Sequence, residues 1–441
     1  MRSRRIVVIG AGHVGLVTAA ALAHIGHHVV GLDDDAAKVA ALQAGVMPFY
    51  EEGLQALVDA GQAGGHLVFA GNPEASIAGA EVAFICVGTP GRPNGEPNLV
   101  AVEHAASAVA RWASRDMVVV EKSTVPVQTA EWVRLVLSRS TRHRFEVASN
   151  PEFLREGAAV EDSLRPDRIL VGADSAVAHG LLRELYAPIV DAGAQYFATD
   201  VATAELAKHA CNAFLALKIS FANGLARVCE ASGADVVAIA DIMGADPRIG
   251  RAFLNAGLGY GGFCFPKDLA AFRSQATRLG YDFSLLDEVV KLNDEALDAI
   301  VGKVRAALWN LEGKRVGVLG LAFKPGTDDI RDSPALRLAG HLMEAGAQVA
   351  GADPAAGSSA VAALPGLELA DGPYAAATGA HCLVVATDWP EYGALDLARI
   401  REVMAIPIII DARNLLDPEE VAAAGFAYYP TGRPPQKPAA A

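Results

Sequence analysis

Short β-branched runs alternate with alanine-rich stretches through the first half of the chain. Ile6–Ile9, Val29–Leu32, Val82–Val87, Met117–Val120 and Phe145–Ala148 are apolar but for Glu146 and are flanked by turn residues, which predicts buried strands. Val14–Ala23, Asp35–Ala44 and Val102–Ala113 carry helical spacing. A strand with no polar face must be covered on both sides, so the pattern points to a parallel sheet layered by helices. From about Thr203 to Ala307 the strand signal disappears. Within that stretch Ala204–Ala231 has no proline and keeps helical apolar spacing, which predicts one long helix.

At Lys314 the alternation restarts, with Arg315–Leu319, Gln348–Gly351, Cys382–Ala386 and Ile406–Ile410 as strand candidates. The two halves echo each other. "RIVVIGAGHVG" leads to "HHVVGLD", and "RVGVLGLAFKPG" leads to "AQVAGAD", each second strand ending on an aspartate, Asp33 and Asp353. The expected architecture is α/β: two Rossmann-like doubly wound parallel-sheet domains, residues 1–202 and 311–430, joined by a central helical domain, 203–310. Its length suits a connector or an oligomer interface. The Pro- and Ala-rich end, 431–441, reads as a disordered tail.

Composition narrows the classes. At 441 residues the chain is too long for one ordinary core. Apolar residues make up 52% and charged residues 20%, a balance that suits well-buried domains. A net charge of −14 argues against nucleic-acid binding, which calls for a basic face. It also means that an anionic ligand must be met by a local cluster of Lys and Arg. The five cysteines (Cys86, Cys211, Cys229, Cys264, Cys382) are scattered and odd in number, without metal-ligand spacing. No disulfide framework and no metal are expected, and a reducing compartment is. The basic Met1–Arg5, the apolar run after it and Ala21-Leu22-Ala23 mimic a secretion signal. A leader has no need of Gly10, Gly12 and Gly15 at phosphate-loop spacing, nor of the strand-like His28–Asp33 that follows. With no apolar run near the ~20 residues of a membrane span, a cytoplasmic protein is expected.

Gly10-Ala11-Gly12-His13-Val14-Gly15 follows a strand and opens a helix. The first glycine permits the tight turn, the second lets backbone N–H groups approach a pyrophosphate, and the third allows close helix packing. The phosphate then sits at the positive end of the helix dipole. Asp33 ends the second strand where a carboxylate would hold the adenosine ribose diol, and a carboxylate there repels a 2′-phosphate. NAD is therefore expected over NADP. Gly88-Thr89-Pro90 and Ser123-Thr124-Val125-Pro126 also follow strands, where ligands sit in such sheets, although either run could serve only as a turn.

The most informative stretch is Gly257-Leu258-Gly259-Tyr260-Gly261-Gly262-Phe263-Cys264-Phe265-Pro266-Lys267-Asp268. Four glycines crowd ahead of a cysteine, with a cation and a carboxylate after it. Glycines let backbone come close to a ligand, and a neighbouring lysine favours a thiolate. The other four cysteines read as ordinary buried thiols, and His13, His24, His27 and His209 as surface or packing residues.

This segment, with "SNPEFLREG" (149–157), "ELAKHACNAFLALKISFAN" (205–223), "DPRIG" (246–250) and "GLAFKPGTDDIRDSP" (320–334), closely resembles the UDP-glucose/GDP-mannose dehydrogenase family, from Ile6 to about Asn414. The resemblance implies an NAD-dependent, four-electron oxidation of a nucleotide sugar through a thiohemiacetal and a thioester. By position it makes Cys264 the covalent nucleophile. Lys208 and Asn212, one helical turn apart, stabilise the reacting oxygen, and Asp268 orients a water or Lys208. Thr124 and Glu152 hold the hydrolytic water, with Glu152 as general base. The implied cofactor set is Gly10, Gly12, His13, Val14, Gly15, Asp33, Lys38, Thr89, Ser123, Thr124, Glu156, Lys267 and Arg331. On the nucleotide-sugar side stand Glu152, Phe153, Leu154, Arg155, Lys208, Asn212, Arg248, Phe253, Leu254, Gly257, Tyr260, Gly261, Cys264, Phe323, Lys324 and Arg413. The arginine at the "RIG" position often comes from a neighbouring subunit in this family, so a homo-oligomer, a dimer or larger, is expected.

The chemistry fits the residues. Taking a primary alcohol to an acid removes two hydrides, and trapping the aldehyde on sulfur keeps it bound for the second. Arg248, Lys324, Arg331 and Arg413 are the local cations that an acidic protein needs for diphosphates. Phe263 stands where many family members carry a small serine, which leaves the sugar less secure. "PFYEEGLQALV" (48–58) and "CFPKD" favour UDP-glucose as substrate and UDP-glucuronate as product. GDP-mannose or a UDP-N-acetylhexosamine is the alternative. A non-catalytic nucleotide-sugar binder would have no reason to keep Cys264, Lys208, Asn212, Glu152 and Asp268 together, and a one-hydride hydroxyacid dehydrogenase would have no use for Cys264.

Overall fold

The computed structural model describes residues 2–139 and 143–438. Two compact units are present, Met1–Cys211 with Lys267–Tyr281, and Asn212–Pro266 with Asp282–Ala441.

The first unit is built on an eight-stranded sheet. Its strands are β1 (Arg5–Ile9), β2 (His28–Leu32), β3 (Leu67–Ala70), β4 (Val82–Ile85), β5 (Met117–Glu121), β6 (Phe145–Ser149), β7 (Arg168–Ala173) and β8 (Gln195–Thr199). Their order is β3-β2-β1-β4-β5-β6-β7-β8. Successive residues of β1 feed opposite layers, as the period of a strand requires. Ile6 and Val8 join a cluster with Leu16 and Ala20 of the helix His13–His24. Val7 joins one with Val102 and Val109 of the helix Val100–Trp112. Strand order reverses beside β1, whose neighbours are β2 and β4. That reversal opens a crevice at the carboxyl ends of β1 and β4, where Gly10 and Thr89 follow.

The alternating doubly wound fold is as expected, with one departure. β6 and β7 run antiparallel (Ala148↔Ala173, Ser149↔Gly172). The connection between them holds only the short helix Ala159–Leu164, and antiparallel neighbours need no long crossover.

The second unit carries the six-stranded parallel sheet β11-β10-β9-β12-β13-β14. Its strands are β9 (Arg315–Leu319), β10 (Gln348–Ala352), β11 (Glu368–Leu369), β12 (Cys382–Val385), β13 (Ile408–Asp411) and β14 (Ala427–Pro430). The helix Leu285–Leu308 contributes Leu297, Ile300, Val304 and Leu308 to the core beneath it. The predicted long helix is Val201–Ser232, 32 residues, or about 48 Å at 1.5 Å per residue. No helix among the described residues is long and apolar enough to cross a membrane.

The expected tail needs correction over its first half. Gln436 exchanges two backbone hydrogen bonds with Tyr428, both at 2.9 Å. The Gly432 N–H donates to Glu230 at 2.8 Å and Arg433 pairs with Asp235 at 3.0 Å. Low complexity did not prevent ordering here, because two acidic side chains of the same unit and an open strand edge supply the partners. Residues 439–441 of that expected tail lie outside the described residues.

Glu205 shows how the long helix locks onto the first sheet's connections. Its carboxylate accepts the N–H groups of Gln128 and Ala130 at 2.8 and 2.9 Å. It thereby caps the helix Thr129–Ser138, whose own N-cap side chain makes no such bond. Burial pushes the Glu205 carboxyl up to about 7 from 4.5, although those two N–H groups pull the other way. The folded chain therefore holds a proton that the unfolded chain has released, so this stability is present below about pH 4.5 and is lost as pH rises through about 7. Glu205→Gln should narrow the gap in Tm between about pH 5 and about pH 8. An unchanged gap in thermal melts would contradict this assignment.

Candidate active site

In the first unit the turn after β1 is shaped by glycine. Gly10 has φ +97°, and a Cβ there would lie 2.8 Å from the Cys86 carbonyl oxygen. A Cβ on Gly15 would stand 1.8 Å from the Gly10 carbonyl oxygen, whereas one on Gly12 would meet nothing within 4 Å. Gly12 is the N-cap of the helix His13–His24 and provides no side-chain cap. The first-turn N–H groups thus face open space at the positive end of the dipole, which fits a pyrophosphate. Gly15→Ala should destabilise the fold by roughly 1–3 kcal/mol and weaken NAD binding, read by melting and by NAD titration.

Asp33 Oδ2 accepts the Ala11 N–H at 2.7 Å, and Oδ1 accepts that of Asp35 at 3.0 Å. Lys38 Nζ reaches both oxygens, at 3.2 and 3.1 Å. Burial opposes ionisation, but these N–H groups and the Lys38 ammonium hold the Asp33 carboxyl below the usual range. A carboxylate fixed at the end of β2 suits a ribose diol. His13 Nε2 stands 2.8 Å from Glu51 Oε2 and its ring 4.8 Å from that of Phe49.

The same unit holds a buried charge cluster. Glu152 Oε1 lies 3.1 Å from Lys208 Nζ, with side-chain exposures of only 7% and 5%, and Glu152 Oε2 accepts the Leu154 N–H at 2.6 Å. Phe153 stacks under the Arg168 guanidinium at 4.0 Å, with Lys208 Nζ 5.4 Å from its ring. Lys267 Nζ is 2.7 Å from Asp268 Oδ1 and 3.5 Å from Thr89 Oγ1, and the Thr89 hydroxyl donates to the Thr124 carbonyl at 3.0 Å. Burial would push the Asp268 carboxyl up, but Lys267, Lys208 and His209 outweigh it and hold it below the usual range. Ser123 Oγ donates to the Val87 carbonyl at 2.8 Å, tying the two strand-end loops together.

In the second unit the glycine-rich run is stitched on several sides. The Gly257 N–H donates to Asn223 Oδ1 at 2.7 Å. Asn293 accepts the Tyr260 N–H at 2.7 Å and donates back to its carbonyl at 3.1 Å. Added Cβ atoms on Gly257, Gly261 and Gly262 would meet the Ala412 carbonyl oxygen, the Asp332 carbonyl oxygen and the Phe323 ring at 2.7, 2.2 and 2.7 Å. Only glycine allows these approaches, and they bring Phe323, Arg413 and the 329–332 turn to the run. Arg331 lies 4.4 Å over the Phe263 ring and pairs with Asp329. Cys264 is the first residue of the helix Cys264–Arg278, at the positive end of its dipole. Asp268 stands one turn later on that helix, and Lys208 and Asn212 one turn apart on the long helix.

The chain matches three parts of one family. Residues 4–190 match the NAD binding domain of the UDP-glucose/GDP-mannose dehydrogenase family, 202–295 its central domain and 317–418 its UDP binding domain. The chain belongs to the UDP-glucose/GDP-mannose dehydrogenase family. A UDP-glucose 6-dehydrogenase of Rhizobium meliloti is 43% identical over 435 residues, covering 98% of this chain and 100% of that one. One from Bacillus subtilis is 41% identical over 434 residues, covering 98% and 94%. A UDP-glucose dehydrogenase structure from Pyrobaculum islandicum superposes with a TM-score of 0.89 at 39% identity, covering 94% of this chain and 95% of that one. Membership makes the chain an NAD-dependent oxidoreductase.

Not every residue matched to the family is gathered into these clusters. Arg248 has a side chain 87% exposed and pairs with Asp246, and Arg155, 63% exposed, pairs with Asp162. Lys324 lies 5.4 Å over the Phe323 ring. Arg413 donates to the Ala386 carbonyl at 2.8 Å. Leu254 is buried, and Phe253, at φ +66°, has its ring 6.3 Å from that of Phe265. Sequence reasoning passed over Glu51, whose buried carboxylate also accepts the N–H groups of Gly157 and Ala159, both at 2.8 Å. It thereby joins the phosphate turn to the end of the Glu152 segment. Its signal was a second acid in "PFYEEGL". Lys122, Asn150 and Asn293 were passed over as well.

Proposed function

We propose that the chain oxidises the primary alcohol of UDP-glucose to the carboxylate, giving UDP-glucuronate. The observation that carries this reading is Cys264 opening a helix straight after a glycine cradle, in a family whose relatives at 41–43% identity bear that name. Residues 1–202 serve NAD, 203–310 form the helical connection, and 311–430 serve the nucleotide sugar. The turn at Gly10–Gly15, with Asp33, Lys38, Thr89, Ser123, Glu156, Lys267 and Arg331, holds NAD. Bound NAD supplies a hydride acceptor for each of two oxidations.

The chain's own groups do the rest. Lys208 and Asn212 stabilise the oxygen on the sugar carbon as it becomes an alkoxide, then a carbonyl. Cys264 sulfur adds to the aldehyde carbon, so the second oxidation leaves a thioester rather than a free aldehyde. Glu152, with Thr124, takes a proton from water as its oxygen bonds to the acyl carbon. The C–S bond breaks and its electron pair returns to sulfur. Asp268 holds Lys267 and orients the water or Lys208. Leu154, Arg155, Arg248, Lys324 and Arg413 hold the nucleotide.

The chain works as a homo-oligomer in the cytoplasm. Phe214, Phe221 and Val228 repeat every seventh residue along the long helix at 62%, 50% and 62% exposure, an unpartnered stripe that a second copy would cover. Phe221→Asp should lower the mass in light scattering, and an unchanged mass would remove the stripe from the interface. The reading as a whole is tested by turnover with UDP-glucose, GDP-mannose and the UDP-N-acetylhexosamines. UDP-glucose should give two NADH per acid formed, and no NADH with it would overturn the choice of substrate.

A further inference from the structure

Lys122 follows β5 and is nine-tenths enclosed. Its ammonium reaches two neutral oxygens of one residue, Asn150 Oδ1 at 3.1 Å and the Asn150 carbonyl at 3.4 Å. Among the described residues no carboxylate lies within ion-pair distance of it. A buried cation facing only neutral acceptors is costly unless an anion compensates from further away. Burial pushes the Lys122 ammonium below the usual lysine range, with Cys86 and Glu152 opposing that and Lys208 adding to it. An apolar residue at this position would be cheaper to bury.

What Lys122 holds is the root of the candidate base. Asn150 has every polar atom engaged. Its N–H donates to the Glu121 carbonyl at 2.8 Å and its Nδ2 to the Leu170 carbonyl at 2.8 Å. Its Oδ1 accepts the Tyr186 hydroxyl at 2.7 Å together with Lys122. Pro151 follows, restricting Asn150 to extended backbone, and then comes Glu152. Three residues thus run from a fixed point on the sheet to the carboxylate that pairs with Lys208. All of these groups belong to the first unit.

We infer that Lys122 is a positioning residue for thioester hydrolysis, anchoring the Asn150–Glu152 turn. The role rests on the reading of Glu152 as general base. In the step concerned, the water oxygen bonds to the acyl carbon, Glu152 takes the proton, and the C–S electron pair returns to Cys264. Lys208 has its own task at the sugar oxygen, so Lys122, by fixing Asn150, keeps the base in place through the reaction. Loss of Lys122 should slow hydrolysis more than either oxidation.

The test uses the full-length enzyme with UDP-glucose and NAD, comparing wild type with Lys122→Met and Lys122→Gln. Gln can still donate to Asn150 Oδ1, so it keeps the fold if Met does not. Each variant should lose roughly 10- to 100-fold in kcat, the scale of a small displacement at the reacting groups, with KM little changed. Rapid mixing should show a burst of two NADH per subunit, and intact mass should show acylated Cys264 above the wild-type level. A folded Lys122→Gln enzyme that loses activity without a burst or adduct would reduce Lys122 to a structural residue and overturn the inference, as would wild-type kcat. Glu152→Gln is run beside them. If it hydrolyses at the wild-type rate, the general-base reading itself falls. If it accumulates adduct while the Lys122 variants do not, only the role of Lys122 falls.

Discussion

Cys264→Ser will stop acid formation while leaving the sugar nucleotide bound. The drop in kcat should be at least about 10³-fold, since losing a covalent nucleophile removes a whole route and not one contact. Two physical features put the effect at this residue. The sulfur opens a helix at its positive end, and the cradle ahead of it has glycines that admit no Cβ. A serine hydroxyl fits the space but is a poorer nucleophile toward the aldehyde. NADH counted per sugar separates the steps. Wild type should yield two, and the variant one at most, with no acylated protein by intact mass. Full acid production from Cys264→Ala would end the thioester account.

Lys208→Met should be the next largest loss, on the order of 10²–10³-fold in kcat, the usual scale for removing an oxyanion stabiliser. Its ammonium is 5% exposed, in ion-pair contact with Glu152 and close enough to Asp268 to help hold that carboxyl ionised. Met preserves the chain length and apolar packing over Phe153 but leaves the Glu152 carboxylate, equally buried, without its cation. A buried pair broken on one side is costly, so Tm should fall as well. Lys208→Met/Glu152→Gln should then recover part of the Tm but none of the kcat. Recovery of turnover in the double variant would show that Lys208 acts only through Glu152 and not at the sugar oxygen.

Much of the fold was legible because its signals are local. β1, β4 and β5 are apolar on both faces and lie at the centre of a covered sheet, so continuous hydrophobic runs marked them. β3 and β8 sit at the two edges of that sheet, where alternate or most side chains are exposed, and their runs carried too little contrast to be noticed. The candidate site divides the same way. Gly10, Gly15, Cys264 and Asp268 lie in short motifs whose chemistry is visible in a dozen residues. Glu51, Lys122 and Asn150 matter through partners tens to a hundred positions away, and nothing adjacent to them announces those partners. The family resemblance supplied Lys208 and Glu152, and the structure places the two, both buried, 3.1 Å apart.

β14 is the last strand of its sheet, bonded to β13 on one side. On the other side Tyr428 is already taken by Gln436. An open strand edge invites a strand from another molecule. The run Arg433-Pro434-Pro435-Gln436-Lys437-Pro438 suits that margin well, since its prolines bring no N–H with which a further strand could pair. The segment whose composition reads as filler therefore works as a guard against stacking of like molecules. A chain cut back to Pro430 would expose a sticky border and come out of solution more readily.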